Sequence, residues 1–144
     1  MFFISNSSEE TERIACEFAS SLKGGEIITL DGDLGAGKTA FVRGMAMAFD
    51  INDNVCSPTF TIVNEYRNGK IPLFHFDVYR IESSDEMYDI GWEDYISQNA
   101  VVVVEWAVNI SDIFEEQPIK ITISKNAVKG EDYREIVIER NGDK

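Results

Sequence analysis

No apolar stretch approaches the roughly 20 residues needed to cross a bilayer; the longest run near the middle is Ala100–Val104. The opening residues, Met1-Phe2-Phe3-Ile4, turn polar at Ser5 and lack a basic flank, so no signal peptide is expected and the setting is read as cytoplasmic. Cysteine is scarce. Cys16 and Cys56 form no CxxC pair and have no histidine nearby, which argues against a zinc site or a disulfide framework and leaves two reduced thiols. Histidine occurs once, at His75. Basic residues are also few: 13 Lys and Arg face 26 Asp and Glu, a net charge of −13. A surface of that sign repels phosphate backbones, which argues against autonomous nucleic-acid binding and permits docking onto a basic partner. The strings N-K-x-D and D-x-x-G, needed by a GTP-dependent switch, do not occur. An arginine-rich lid of the kind a small-molecule kinase needs is missing too, since Arg80 is the only base between Asp77 and Trp106.

What remains is a globular composition, 44% apolar and 11% aromatic. A chain of 144 residues suits one domain, read here as 1–144, and neither repeats nor linkers interrupt it. Ser7 and Glu10 stand at capping-box spacing before a helix whose Ile14, Phe18 and Leu22 share a face and which Lys23-Gly24-Gly25 ends. Ile27–Leu30 reads as a buried strand and Thr39–Phe49 as a helix. Thr59–Tyr66 is rich in β-branched and aromatic residues, Asn68-Gly69 signals a hairpin, and residues 71–77 supply the returning strand. Ser83 and Glu86 cap a short acidic helix. Val101–Val104 suits a strand buried on both faces of a parallel sheet. Residues 119–124 and 134–139 alternate as a final antiparallel pair. The expected fold is α/β: a P-loop NTPase-like mixed sheet, parallel and antiparallel, flanked by helices.

Between the first buried strand and its helix lies Gly32-Asp33-Leu34-Gly35-Ala36-Gly37-Lys38-Thr39, a complete match to G-x-x-x-x-G-K-[ST] in the required strand–loop–helix context. Glycines let the backbone take strained angles and approach a ligand closely. Successive N–H groups then form an anion nest, reinforced by the helix N-terminus. Lys38 adds a point charge for the β and γ phosphates, and the Thr39 hydroxyl is a hard ligand for Mg²⁺. The nucleotide expected is ATP.

Such a site also needs a carboxylate at a neighbouring strand end to complete the metal shell, and a group to orient the attacking water. Glu105, directly after the four valines, and Asp77, ending residues 73–77, both qualify at strand C-terminal ends. His75 precedes Asp77 by two, so both side chains share a face, and it is read as structural. Ser57-Pro58-Thr59-Phe60-Thr61 reads either as a switch whose hydroxyl, that of Thr59 for instance, reaches the γ-phosphate, or as a Pro-initiated turn into a strand. Arg43 and Arg80 are read as surface or structural arginines rather than as an arginine finger.

Taken together, the phosphate loop, Ser57-Pro58-Thr59-Phe60-Thr61, His75-Phe76-Asp77-Val78-Tyr79-Arg80 and Glu105-Trp106, in this order and spacing, resemble the TsaE (YjeE) family of small bacterial P-loop ATPases over nearly the whole chain. The resemblance implies a part in making threonylcarbamoyladenosine beside the anticodon of tRNAs that read codons beginning with A. It implies partners homologous to TsaD and TsaB, and a weak ATPase that resets that pair between cycles. It also implies that Thr39 and Glu105 ligate Mg²⁺ and that Asp77 is catalytic or assists the metal. Asp33 to Thr39 would bind ATP, with Ser8, Thr11 and Gly130 near the nucleotide and Trp106 beside the γ-phosphate. Members of the family usually carry Pro after Glu-Trp; Ala107 stands there instead, so a looser Trp106 loop is expected.

Overall fold

Four consecutive valines cannot keep a face in water, and Val101–Val104 is buried on both sides of a mixed sheet. The computed structural model describes residues 1–58 and 60–140, and among these the sheet has seven strands. In chain order they are β1 (Phe2–Ser5), β2 (Ile27–Gly32), β3 (Val63–Tyr66), β4 (Leu73–Asp77), β5 (Val101–Glu105), β6 (Ile119–Lys125) and β7 (Arg134–Glu139). The helices are α1 (Ser8–Ala19), α2 (Lys38–Ala48), α3 (Asp85–Asp89) and α4 (Trp92–Ile96), with a 3₁₀ segment at Ala107–Ile113. The spatial order is β1-β7-β6-β2-β5-β4-β3. The inner strands β6, β2, β5 and β4 run parallel, while β3 and the β7–β1 pair attach antiparallel at the edges. The expected mixed α/β architecture is the one observed.

Alternation divides the core. Ile28 and Leu30, Leu73, Val101 and Val103, Ile121 and Ile123, Ile136 and Ile138 pack with Phe18 of α1 and Phe41 and Met45 of α2. On the other face Phe74, Phe76, Val102 and Val104 pack with Met87, Trp92 and Ile110. The odd positions of β4 and β5 thus face α2, so His75, Asp77 and Glu105 continue the rows begun by Leu73, Val101 and Val103. Asp77 and Glu105 are register partners at the end of that row.

Local chemistry explains most boundaries. Ser7 caps α1 by accepting from the Glu10 N–H at 3.1 Å, and the Glu10 carboxylate accepts from the Asn6 N–H at 2.8 Å, a capping box shifted by one residue. The helix stops at Ala19, before Lys23-Gly24-Gly25, because the Ser20 and Ser21 hydroxyls donate to the carbonyls of Cys16 and Phe18; Leu22 stays buried in the following turn. At the acidic helix only the glutamate half of the box forms: Glu86 accepts from the N–H groups of Glu82 and Ser83, whereas Ser84 bonds Asp112.

The region after the phosphate-loop helix departs from expectation. The strand starts at Val63, not Thr59, because the Pro58 carbonyl accepts from the N–H groups of both Thr61 and Ile62 and closes a turn. Ile62 is left-handed there, at φ 69°. The hairpin forms, but its connection is residues 67–72 and not a two-residue turn. Gly69 serves close approach: Lys70 N–H donates to Phe49 O at 2.7 Å, and a Cβ on Gly69 would stand 2.2 Å from that oxygen. Edge strand β1 has no clear periodic signal in its four residues.

Helices α1 and α2 meet at Gly44, where an added Cβ would lie 2.2 Å from Glu12 O and 2.8 Å from the Ala15 Cβ. Gly44→Ala should therefore push the helices apart and lower stability by about 1–3 kcal/mol despite its better helix propensity. A urea titration monitoring the unfolding midpoint checks this; an unchanged or raised midpoint would refute the tight crossing.

Candidate functional site

At the carboxyl ends of β2 and β6 the sheet opens into a cavity of about 420 Å³, lined among others by Gly32, Asp33, Lys38, Trp106, Ser124 and Lys125. The loop Gly32–Thr39 bridges β2 to α2 beside it. Gly35 and Gly37 take the left-handed conformation, φ 78° and 104°. A Cβ at Gly37 would project into open space, a cradle of the kind that accepts a phosphate. Gly32 has another reason to be glycine: it is in β2, and a Cβ there would approach Ile123 O to 2.8 Å. Asp33 and Leu34 are exposed, Ala36 is buried under the loop, and Thr39 is half-buried at the first turn of α2.

Lys38 reaches back across the loop. Its Nζ donates to Gly32 O at 2.7 Å and lies 3.3 Å from Glu105 Oε1. Glu105 is 4% exposed, and its other oxygen, Oε2, is 2.6 Å from His75 Nε2. Burial pushes the Glu105 carboxyl up, but the His75 hydrogen bond and the electrostatic attraction of His75 and Lys38 outweigh it and hold it below the usual carboxylate range. His75 is thus structural in a specific sense: fully buried, it orients Glu105, although its Nδ1 has no partner among the described residues. Asp77, 8% exposed, accepts from the Tyr79 N–H at 3.0 Å through Oδ1. Its own N–H donates to Ile62 O, which ties it to the turn after Pro58.

Trp106 follows at φ 64°, a left-handed backbone uncommon for a large residue. Its ring sits 4.8 Å from that of Tyr79 and 6.0 Å from Lys38 Nζ. Ala107 is buried and opens the 3₁₀ segment. The chain there is tied by Asn109, whose N–H donates to Trp106 O and whose side chain donates to Val78 O.

The structure therefore brings Asp33 to Thr39, Asp77, Glu105 and Trp106 to one end of the sheet. Ser8 and Thr11 begin α1 at that same end, since Ser5 of β1 is the register partner of Arg134, which touches the loop. Thr11 is 2% exposed, with its hydroxyl 2.7 Å from that of Ser5. Gly130, φ 142°, lies in the connection between β6 and β7. Thr59 lies outside the described residues. Arg43 pairs with Glu12 of α1 at 3.7 Å, and Arg80 stacks over Phe60 at 5.1 Å.

Sequence reasoning missed Lys125 and Arg134. Lys125 Nζ donates to Leu34 O at 3.0 Å; Arg134 donates to Ala36 O and Gly35 O at 3.0 and 3.1 Å. Alternation places both at the ends of isoleucine rows on the α2 face, but only the strand order brings those rows beside the loop. A larger cavity of about 740 Å³, among Ile27, Trp92, Ile96, Glu116 and Ile119, sits at the opposite end of β2 and β6. Ligands of open α/β sheets bind at the carboxyl ends, so the smaller cavity is the candidate site.

The model of the threonylcarbamoyl adenosine biosynthesis protein TsaE matches residues 5–136. The chain belongs to the TsaE family. The tRNA threonylcarbamoyladenosine biosynthesis protein TsaE of Bacillus subtilis is 43% identical over 136 residues, covering 94% of this chain and 83% of that protein. TsaE of Treponema pallidum is 33% identical over 135 residues, covering 94% and 97%. The crystal structure of Bacillus subtilis YdiB superposes with a TM-score of 0.80 at 37% identity, covering 96% of this chain and 83% of that one.

The buried Glu105–His75 pair makes this TsaE-family site sensitive to its supports. His75→Leu should cost about 3 kcal/mol, because it leaves a buried carboxylate short of a hydrogen bond. His75→Gln, which keeps a donor, should cost less. Chemical denaturation of the nucleotide-free protein distinguishes them; equal stabilities would mean the pair contributes nothing.

Proposed function

We propose that this chain is an ATP-binding, Mg²⁺-dependent ATPase of low intrinsic activity that serves threonylcarbamoyladenosine modification of tRNA and turns over when docked on a TsaD–TsaB pair. The observation that carries the nucleotide reading is the loop itself: left-handed Gly35 and Gly37, an open cradle and the start of α2 behind it, with Lys38 and Glu105 converging beside it. A phosphate chain meets N–H groups, a helix N-terminus and one lysine charge there. The tRNA role rests on family membership and on the name its members carry.

Thr39 and Glu105 are hard oxygen donors suited to Mg²⁺, with Asp77, in register with Glu105, as the alternative or additional ligand. No group of three or more His, Cys, Asp or Glu that would form a protein-only cage occurs among the described residues. That is the usual condition for a cation that takes most of its shell from phosphate and water. Thr39 and Glu105 would hold the Mg²⁺, which when bound would supply positive charge to offset that of the phosphate oxygens. Lys38 moves its charge from Glu105 to the phosphates, which releases Oε1, while His75 keeps Oε2 in place. Asp77, where it does not ligate the metal, orients the attacking water, and Trp106 covers the phosphate end.

Lys38→Ala should weaken ATP binding by about 2–3 kcal/mol, the loss of one charge-assisted contact, while the fold survives. Isothermal titration reads this directly, and unchanged affinity would remove the loop as a phosphate site. Glu105→Gln should weaken Mg²⁺-dependent binding more than metal-free binding; if Mg²⁺ dependence is untouched, Asp77 becomes the leading ligand.

Hydrolysis needs positive charge at the γ-phosphate, and Arg43, Arg80, Lys125 and Arg134 are each engaged with other groups. Low turnover in isolation follows. Glu82, Asp85, Asp89, Glu93 and Asp94 are exposed among exposed Tyr88, Ile90 and Ile96, a surface suited to a basic partner with an apolar centre. Phosphate release should rise when the TsaD–TsaB pair is titrated in, and the rise should shrink as salt increases. Fast hydrolysis by the isolated protein, indifferent to the pair, would exclude partner gating.

A further inference from the structure

Lys125 ends β6 and Arg134 begins β7, and they are direct register partners. Like charges placed opposite each other in an antiparallel pair destabilise it, so this pairing needs a compensating interaction. The compensation is visible. Lys125 Nζ donates to Leu34 O at 3.0 Å; Arg134 Nη2 and Nε donate to Gly35 O and Ala36 O at 3.1 and 3.0 Å. Three consecutive phosphate-loop carbonyls are thereby held by two cations of one hairpin. Arg134 Nη1 also donates to Glu131 O and Tyr133 O, both at 2.8 Å, so the connection that carries Gly130 is fastened to the loop by the same side chain.

We infer that Lys125 and Arg134 are positioning residues of the nucleotide site: they pin the carbonyls of residues 34–36 outward and so aim the N–H groups of the phosphate loop at the ligand. This rests on the reading of the loop as a phosphate site. The physical basis is the planar peptide: the C=O of one residue and the N–H of the next point in opposite directions. Holding Leu34 O and Ala36 O on the hairpin side turns the N–H groups of Gly35 and Gly37 to the opposite side. The Ala36 N–H instead closes a turn onto Asp33 O at 2.9 Å, which stiffens the loop from within. The remaining carbonyls at the ends of this stretch are also engaged, Gly32 O by Lys38 and Gly37 O by the N–H of Phe41. Glycine-rich loops are otherwise costly to order, because glycine loses the most conformational freedom. The hairpin supplies that order before the ligand arrives. The two side chains also concentrate positive charge beside the site in a chain whose net charge is −13.

The geometry separates the two residues' demands. Lys125 makes a single contact, which Arg can replace. Arg134 reaches two loop carbonyls and two hairpin carbonyls through a planar fork, which Lys cannot reproduce. The test measures ADP affinity by calorimetry and amide hydrogen exchange of residues 33–38 in the nucleotide-free protein, for Lys125→Met, Lys125→Arg, Arg134→Lys and Arg134→Ala. Lys125→Met and Arg134→Lys should each weaken ADP roughly tenfold and speed loop exchange. Lys125→Arg should restore both. If Arg134→Ala fails to fold, Arg134→Lys and the Lys125 variants carry the result. Wild-type exchange and wild-type affinity in Lys125→Met and Arg134→Lys would overturn the inference. Faster loop exchange in a protein that does not bind ADP at all would support the brace while refuting the phosphate-site reading, so the two failures are distinguishable.

Discussion

A carboxylate removed from water must be compensated by hydrogen bonds and opposite charge, or it unfolds the protein around it. Glu105 is in that position, and its two oxygens are held by His75 and Lys38. Those partners come from β4 and from the first residue of α2, so one buried side chain fixes the relation among two parallel strands and the phosphate loop. Asp77 stands in register beside Glu105, and Trp106 lies 6.0 Å from the same lysine. The parallel core makes this affordable: valines bring β5 to its end without a water-exposed face, and the first polar residue after them emerges at the carboxyl edge, where helix N-termini gather.

Much of this was legible in the sequence because it rests on local or periodic signals. The phosphate loop is contiguous, the four valines report a strand buried twice over, and Ser7 with Glu10 marks a helix start. Glu105 and Asp77 were placed at strand ends by the residues before them. The failures have physical causes as well. Residues 59–62 have strand-like composition, but Pro58 accepts two hydrogen bonds in a turn, and tertiary fit overrides propensity. Gly69 after Asn68 imitates a two-residue hairpin turn, whereas its lack of a side chain serves contact with Phe49. No local pattern links Lys125 and Arg134 to a loop some ninety residues earlier. That link needs the strand order, which places β6 beside β2 although β5 intervenes in the chain. His75 was read as structural, and its partner Glu105 could be named only once β4 and β5 were known to be neighbours.

Alternation along the strands separates hydrophobic packing from chemistry by position rather than by segment. On the α2 face four rows run from apolar residues to a titratable end: Val101 and Val103 lead to Glu105, Leu73 leads through His75 to Asp77, Ile121 and Ile123 lead to Lys125, and Ile138 and Ile136 lead to Arg134, while the β2 row of Ile28 and Leu30 ends in Gly32 of the loop. The sheet presents acids on its β4–β5 side and bases on its β6–β7 side, with the phosphate loop over the boundary. A ligand that pairs an anionic chain with a divalent cation matches that division of charge.

The two tryptophans of the chain divide along the same lines. Trp92 is 1% exposed, packed against Phe76 and Phe114 on the far face of the sheet. Trp106 is 44% exposed and lies 6.0 Å from the Lys38 ammonium. Their indoles therefore emit from different surroundings, one dry, the other wet and near the Lys38 charge. The long-wavelength part of the intrinsic fluorescence belongs to Trp106 and follows events at the phosphate end, while the short-wavelength part follows the integrity of the core. The protein thus carries two optical reporters, one for the carboxyl end of the sheet and one for the core, and needs no added dye.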